Sequence, residues 1–180
     1  MLSNFNQFNL PVAKVIPEIK TKLSYENTLI IKAPTGAGKS TLLPVALLEE
    51  KWLKGKKIIL LEPRRLAAKT VAIRMAEMLG EQAGETVGYR IRFEQKTSKK
   101  TRLEVVTEGI LTRLIHEDNS LADIGLIIFD EFHELHIKSG LDKYSDHRQY
   151  NNIKRKEHIK NCVAASDAFF PFADGVKILI

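Results

Sequence analysis

Apolar residues in this chain fall into two patterns that alternate along its length. Short unbroken runs, "TLIIKAP" (28–34) and "KKIILLEP" (56–63), are rich in isoleucine and leucine and end in proline, as strands buried on both faces do. Between them "KSTLLPVALLEEKWLKG" (39–55) spaces its apolar positions three and four apart and stops at Gly55, which predicts a helix. Pro44 is compatible with that helix only near its start, where the missing N–H costs nothing. The alternation continues through a helix at 64–80 closed by Gly80, strands at 87–94 and 102–107, a helix at 108–118 and a buried strand at 124–130. Strands alternating with helices in this way predict an α/β fold, an open doubly wound sheet that binds its ligands at the carboxyl ends of its strands.

Beyond residue 140 the pattern thins. Leu141, Tyr144, Tyr150, Ile153 and Ile159 are too widely spaced for a core helix, and "VKILI" (176–180) is the one run there that reads as a last strand. We therefore divide the chain into an α/β domain, 1–140, and a divergent tail, 141–180, which is either a polar insertion before a last strand or an unrelated sequence. The basic cluster "IKRKEHIK" (153–160) in that tail reads as a solvated charged face.

The chain has 180 residues, enough for one domain with its own core, and 44% hydrophobic with 28% charged residues is a soluble balance. A formal net charge of +6 favours anionic partners without specifying one. One cysteine, Cys162, excludes an intramolecular disulfide and a thiolate metal cluster. The N-terminal stretch "MLSNFNQFNLP" has neither the basic start nor the apolar centre of a signal peptide, so the expected location is cytoplasmic.

Candidate chemistry begins with "APTGAGKST" (33–41), between the first strand and the helix that follows it. It matches the Walker A pattern except that Ala33 replaces the first glycine. Gly36 and Gly38 free the backbone to turn its N–H groups inward around phosphate oxygens, with Thr35 and Ala37 completing the loop and a helix N-terminus adding positive character. Lys39 is placed to reach the β and γ phosphates, and the Ser40 and Thr41 hydroxyls lie beside it, Ser40 as a magnesium ligand. A glycine-rich turn with an incidental lysine is the bland alternative, and the strand-loop-helix context argues against it.

The second cluster, "DEFHELH" (130–136), packs three carboxylates and two histidines into seven residues. Zinc would want histidines four apart on a helix, whereas His133 and His136 are three apart. An apolar strand ending in Asp130 is instead the Walker B arrangement, in which the aspartate holds phosphate-bound magnesium. Glu131 then stands where a carboxylate can act as general base on the attacking water.

Asp130-Glu131-Phe132-His133 resembles the DEAH box of superfamily 2 helicases, with phenylalanine in place of alanine. Together with "LEPRRLAA" (61–68), "GETVGYRIRFE" (84–94) and "RLEVVTEGILTRL" (102–114), it resembles the bacterial HrpB-type ATP-dependent helicases in particular. The resemblance implies a three-layer RecA-like P-loop NTPase domain with a mostly parallel sheet, using ATP and Mg²⁺ and acting on nucleic acid, RNA first and DNA second. It implies that Glu62-Pro63-Arg64-Arg65 and Thr107-Glu108-Gly109 line the nucleic-acid track and grip its sugar-phosphate backbone, and that His133 couples nucleotide state to neighbouring motifs. It also implies a second RecA-like domain, absent from this chain, that supplies arginine fingers worth about 10³ to 10⁵ in rate. Without it, hydrolysis is expected to be very slow.

Physical chemistry points the same way for Arg64 and Arg65, because cations at a helix start oppose its dipole and call for another purpose. Arg90 and Arg92 alternate with Tyr89, Ile91 and Phe93 and are expected to share one polar strand face. Leu135 departs from the family's pattern, and no Ser-Ala-Thr motif follows. Two other functions remain consistent with the sequence, a P-loop ATPase that does not act on nucleic acid and a non-catalytic nucleotide-binding fragment.

Overall fold

The computed structural model describes residues 8–118 and 120–130, and the backbone of 162–166 and 177–179. Five of the expected strands are present: β1 (Thr28–Lys32), β2 (Lys57–Leu61), β3 (Val87–Ile91), β5 (Leu103–Val106) and β6 (Ile124–Phe129). Three more complete the sheet, β4 (Glu94–Lys96), β7 (Cys162–Ser166) and β8 (Lys177–Leu179). Their order is β4-β3-β5-β2-β6-β7-β1-β8, parallel throughout except for the two edge strands.

Strand alternation sorts side chains into two cores. Leu29, Ile31, Ile58, Leu60, Leu103, Val105, Leu126 and Ile128 face the layer that holds helices α1 (Ile16–Leu23), α2 (Leu42–Leu47) and α3 (Arg65–Met78). Ile59, Leu61, Val106, Ile127 and Phe129 face helix α4 (Glu108–Glu117) through Leu111, with Ile110, Leu114 and Ile115 at its margin. Helices on both faces of a mostly parallel sheet make the three-layer α/β architecture expected of a RecA-like domain.

Four details differ from the sequence expectation. The helix drawn over 39–55 is shorter: α2 begins at Leu42, carries Pro44 in its first turn and gives way to a 3₁₀ turn at Lys51–Leu53. Helix α1 and a 3₁₀ turn at Pro11–Lys14 precede the first strand, where no element was expected. The strand drawn over 87–94 ends at Ile91, because Phe93 has φ +68° and the chain reverses into β4. Finally, "VKILI" does not continue the parallel series. Its residues 177–179 pair antiparallel with β1 at the edge, and Cys162–Ser166 fills the parallel position between β6 and β1.

Candidate nucleotide and nucleic-acid site

Strand registers place the motif residues. Arg90 pairs with Val106, Val106 and Phe129 each align with Leu61, Phe129 aligns with Ala164, and Ala164 with Ile30, so these six form one row across the sheet. One residue further along each parallel strand comes a second row containing Thr107, Glu62 and Asp130 on three adjacent strands. Two backbone bonds carry the ladder into it, Glu62 N–H to Val106 O at 2.9 Å and Asp130 N–H to Leu61 O at 3.0 Å. All three are buried, with exposures of 8, 3 and 2%. Polar side chains are seldom buried, so three of them side by side at the carboxyl ends of adjacent parallel strands mark a candidate site. By alternation these residues follow Val105, Leu60 and Ile128 onto the α2 face.

The phosphate loop leaves the same rim from β1. Gly36 at φ +77° and Gly38 at +92° adopt left-handed backbone that other residues resist. Ala37 N–H turns back to Pro34 O at 3.2 Å, and Leu42 and Leu43 N–H both converge on Gly38 O at 2.9 and 3.2 Å. Lys39, Ser40 and Thr41 therefore lie in a turn before α2, not in its first helical turn as the sequence suggested. Thr35 and Gly36 are exposed at the tip, whereas Ala37 and Lys39 are buried. Lys39 Nζ donates to Ala33 O at 2.9 Å and to Pro34 O at 3.0 Å, so the ammonium is folded onto the carbonyls at the loop's own base. Two strand spacings, roughly 10 Å, separate β1 from β6. Asp130 and the phosphate loop thus belong to one rim.

Past the buried row the chain becomes cationic and accessible. Arg64, extended at φ −102° and ψ 122°, caps α3, and Arg65 opens it, both exposed. Thr107 caps α4, with Glu108 partly buried and Gly109 exposed. The two arginines and the Thr107-Glu108-Gly109 segment leave neighbouring strands β2 and β5.

Arg90 and Arg92 do not share a strand face as expected. Arg90 lies inside β3 and bonds Glu104 at 2.9 Å, whereas Arg92 sits in the reversal with its guanidinium 4.7 Å from the centre of the Phe93 ring. Phe93 is 90% exposed, which an aromatic side chain on a strand face in this sheet would not be. Its exposure depends on the sharp reversal, and alternation alone could not reveal it. Lys69 and Tyr89 O–H both donate to Glu94, at 2.7 and 2.6 Å, tying the hairpin to α3.

Glu131 and His133 lie outside the described residues, as do His136, Leu135 and the basic cluster at 153–160. Among the described residues no group of three histidine, cysteine or acidic side chains is arranged to hold a metal, and no helix is long and apolar enough to cross a membrane. The donors available to magnesium here are hard oxygens, the Ser40 hydroxyl and the Asp130 carboxylate, which suits that ion.

Residues 12–166 match the family model for DEAD/DEAH box helicases. Over 133 residues the chain is 55% identical to the ATP-dependent RNA helicase HrpB of Escherichia coli, covering 74% of this chain and 16% of that protein. It is 41% identical over 129 residues to the ATP-dependent RNA helicase HrpA of Borreliella burgdorferi, again covering 16% of the relative. The crystal structure of the E. coli DExH-box NTPase HrpB superposes with a TM-score of 0.77 at 45% identity, covering 89% of this chain and 19% of that one. This chain therefore spans about a sixth of the length of these relatives.

Proposed function

Because the chain belongs to the DEAD/DEAH box helicase family, we propose that its sheet rim is the ATP-binding and nucleic-acid-gripping half of an ATP-dependent RNA helicase. The observation that carries this is the buried row Thr107, Glu62 and Asp130, which shares a rim with the phosphate loop two strands away and leads directly into the exposed Arg64 and Arg65 after β2. Residues 1–140 supply the ATP-binding half, and the tail contributes β7 and β8.

ATP and Mg²⁺, when bound, supply the transferable phosphoryl group and the charge that steadies it. Thr35, Gly36 and Gly38 present backbone donors to the phosphates, and Ala37, its own N–H turned to Pro34 O, lines the loop between them. Lys39 exchanges its two carbonyl acceptors, Ala33 and Pro34, for phosphate oxygens, a small movement for an ammonium already at the loop. The Ser40 and Thr41 hydroxyls lie beside it, with Ser40 and Asp130 as the magnesium donors. Glu131, next in sequence after the buried aspartate, takes the proton of the attacking water. His133 couples this site to its neighbours, and a second RecA-like domain completes it.

Nucleic acid lies along Arg64, Arg65 and Thr107 to Gly109, held by its phosphates with little regard for sequence. RNA is favoured over DNA by the relatives' names. Phe93 and Arg92, exposed beyond the end of β3, offer a base a stacking surface at the edge of that track. Calorimetric titration with Mg-ATP tests the core of the proposal. Binding should be measurable in the wild type and lost in Lys39→Ala, and equal affinities in both would refute it.

A further inference from the structure

The phosphate loop is gripped from outside by the chain that precedes the first strand. Val12, in the 3₁₀ turn Pro11–Lys14, is fully buried and donates its N–H to Ala37 O at 3.0 Å. A Cβ added to Gly38 would meet Leu10 Cδ1 at 2.9 Å and Val12 Cγ1 at 3.0 Å, so both side chains press against that glycine's backbone. Around Gly36 nothing lies within 4 Å of such an atom. Gly36 is thus required for its backbone angle alone, whereas Gly38 is required for its angle and for the close approach of Leu10 and Val12.

The gripping segment is itself anchored. Ala13 N–H bonds Leu10 O at 2.9 Å and Val15 N–H bonds Val12 O at 3.1 Å. Helix α1 follows with Ile16, Ile19 and Leu23 buried in the main core, and Lys20 pairs with Glu50 beyond α2 at 2.8 Å. Ala37 is consequently fixed at both ends of its residue, its N–H held by Pro34 and its carbonyl by Val12.

We propose that Leu10 and Val12 are positioning residues for nucleotide binding: they hold Ala37 and Gly38 in the phosphate-ready conformation, although neither belongs to the phosphate-loop motif. This rests on the nucleotide role proposed above. A loop with two left-handed glycines has many other conformations to visit, and affinity falls in proportion to the fraction of time spent in them. Removing the Leu10 side chain opens the space that confines Gly38.

The test uses the full chain with Mg²⁺ and N-methylanthraniloyl-ADP, a fluorescent ADP, together with hydrogen exchange of residues 33–41. Leu10→Ala should weaken binding about fivefold, the change expected if the loop is competent about one-fifth of the time, and should speed exchange across the loop. Leu10→Met, which keeps the volume, should bind as the wild type does. Val87→Ala, a buried truncation in β3 far across the sheet, should lower stability while leaving affinity and loop exchange unchanged. Unchanged affinity in Leu10→Ala overturns the proposal, and so does an equal loss in Val87→Ala, which would make the effect generic. If the wild type binds no fluorescent ADP, the nucleotide role falls, and exchange alone then decides whether the brace exists, with unchanged exchange overturning it.

Discussion

Glu104 carries the charge whose removal has the most calculable consequence. It lies on β5, 2% exposed, and accepts from Lys57 Nζ at 2.7 Å and from Arg90 Nη2 at 2.9 Å. The cations come from the flanking strands β2 and β3, so one carboxylate pins three strands together. The two sides of this network are not equivalent. Lys57 and Arg90 keep 38 and 29% of their side chains in water, whereas Glu104 keeps almost none. Glu104→Gln leaves two cations that can turn to solvent, a loss of about 1–3 kcal/mol. Replacing both Lys57 and Arg90 by methionine strands a buried carboxylate, which costs about 3–5 kcal/mol. Urea unfolding at neutral pH measures both. With a slope of about 1–3 kcal/mol per molar urea, the two variants should differ in midpoint by about 1 M. Adding Glu104→Leu to the double methionine variant should recover much of the loss, since an apolar trio of similar volume needs no solvation. A Glu104→Gln variant less stable than the double methionine variant would show that burial does not set the asymmetry.

Four further outcomes follow from the rim. Asp130→Asn should weaken nucleotide binding in Mg²⁺ and much less in EDTA, measured by titration in each; equal losses would remove the metal role. Arg64→Ala should reduce the salt slope of binding to single-stranded RNA by about one phosphate contact in filter binding across a salt series. An unchanged slope would place Arg64 off the track. Phe93→Ala should weaken the same RNA by about 1–3 kcal/mol while leaving the slope alone, as loss of stacking does and loss of a charge does not. The hairpin supplies a pH test. Hydrogen bonds from Lys69 and Tyr89 hold the Glu94 carboxyl below its ordinary value of 4.5. Its contribution is therefore complete above that value and lost as the pH falls through the lower folded one. Hydrogen exchange in β3 and β4 should accelerate there in the wild type, while Glu94→Gln should already be fast at neutral pH and show no such step.

The strands and the glycine turn after β1 were legible because their signals are local. A buried parallel strand must be apolar at nearly every position, as in β2, and a turn through left-handed backbone favours glycine, as at Gly36 and Gly38. Helix α1 left a fainter trace, apolar Ile16, Ile19 and Leu23 with proline near its start, short enough to pass as a leader to β1. The reversal at Phe93 left less still, since a phenylalanine at positive φ carries no compositional mark.

What the sequence offered by itself was a set of candidates for chemistry: Lys39 and Ser40 in the loop between β1 and α2, Asp130 at the end of β6, and the arginine pair after β2. Tertiary structure decided which of them meet. Strand order is set by contacts between distant segments, and register is set by the pleat, where a slip of one residue turns every side chain to the other face. Those two choices put Thr107, Glu62 and Asp130 in one buried row, and place Leu10 and Val12 against Gly38 from a segment with no motif of its own. A linear pattern records how each residue meets solvent or core; it carries no record of which strand lies beside which.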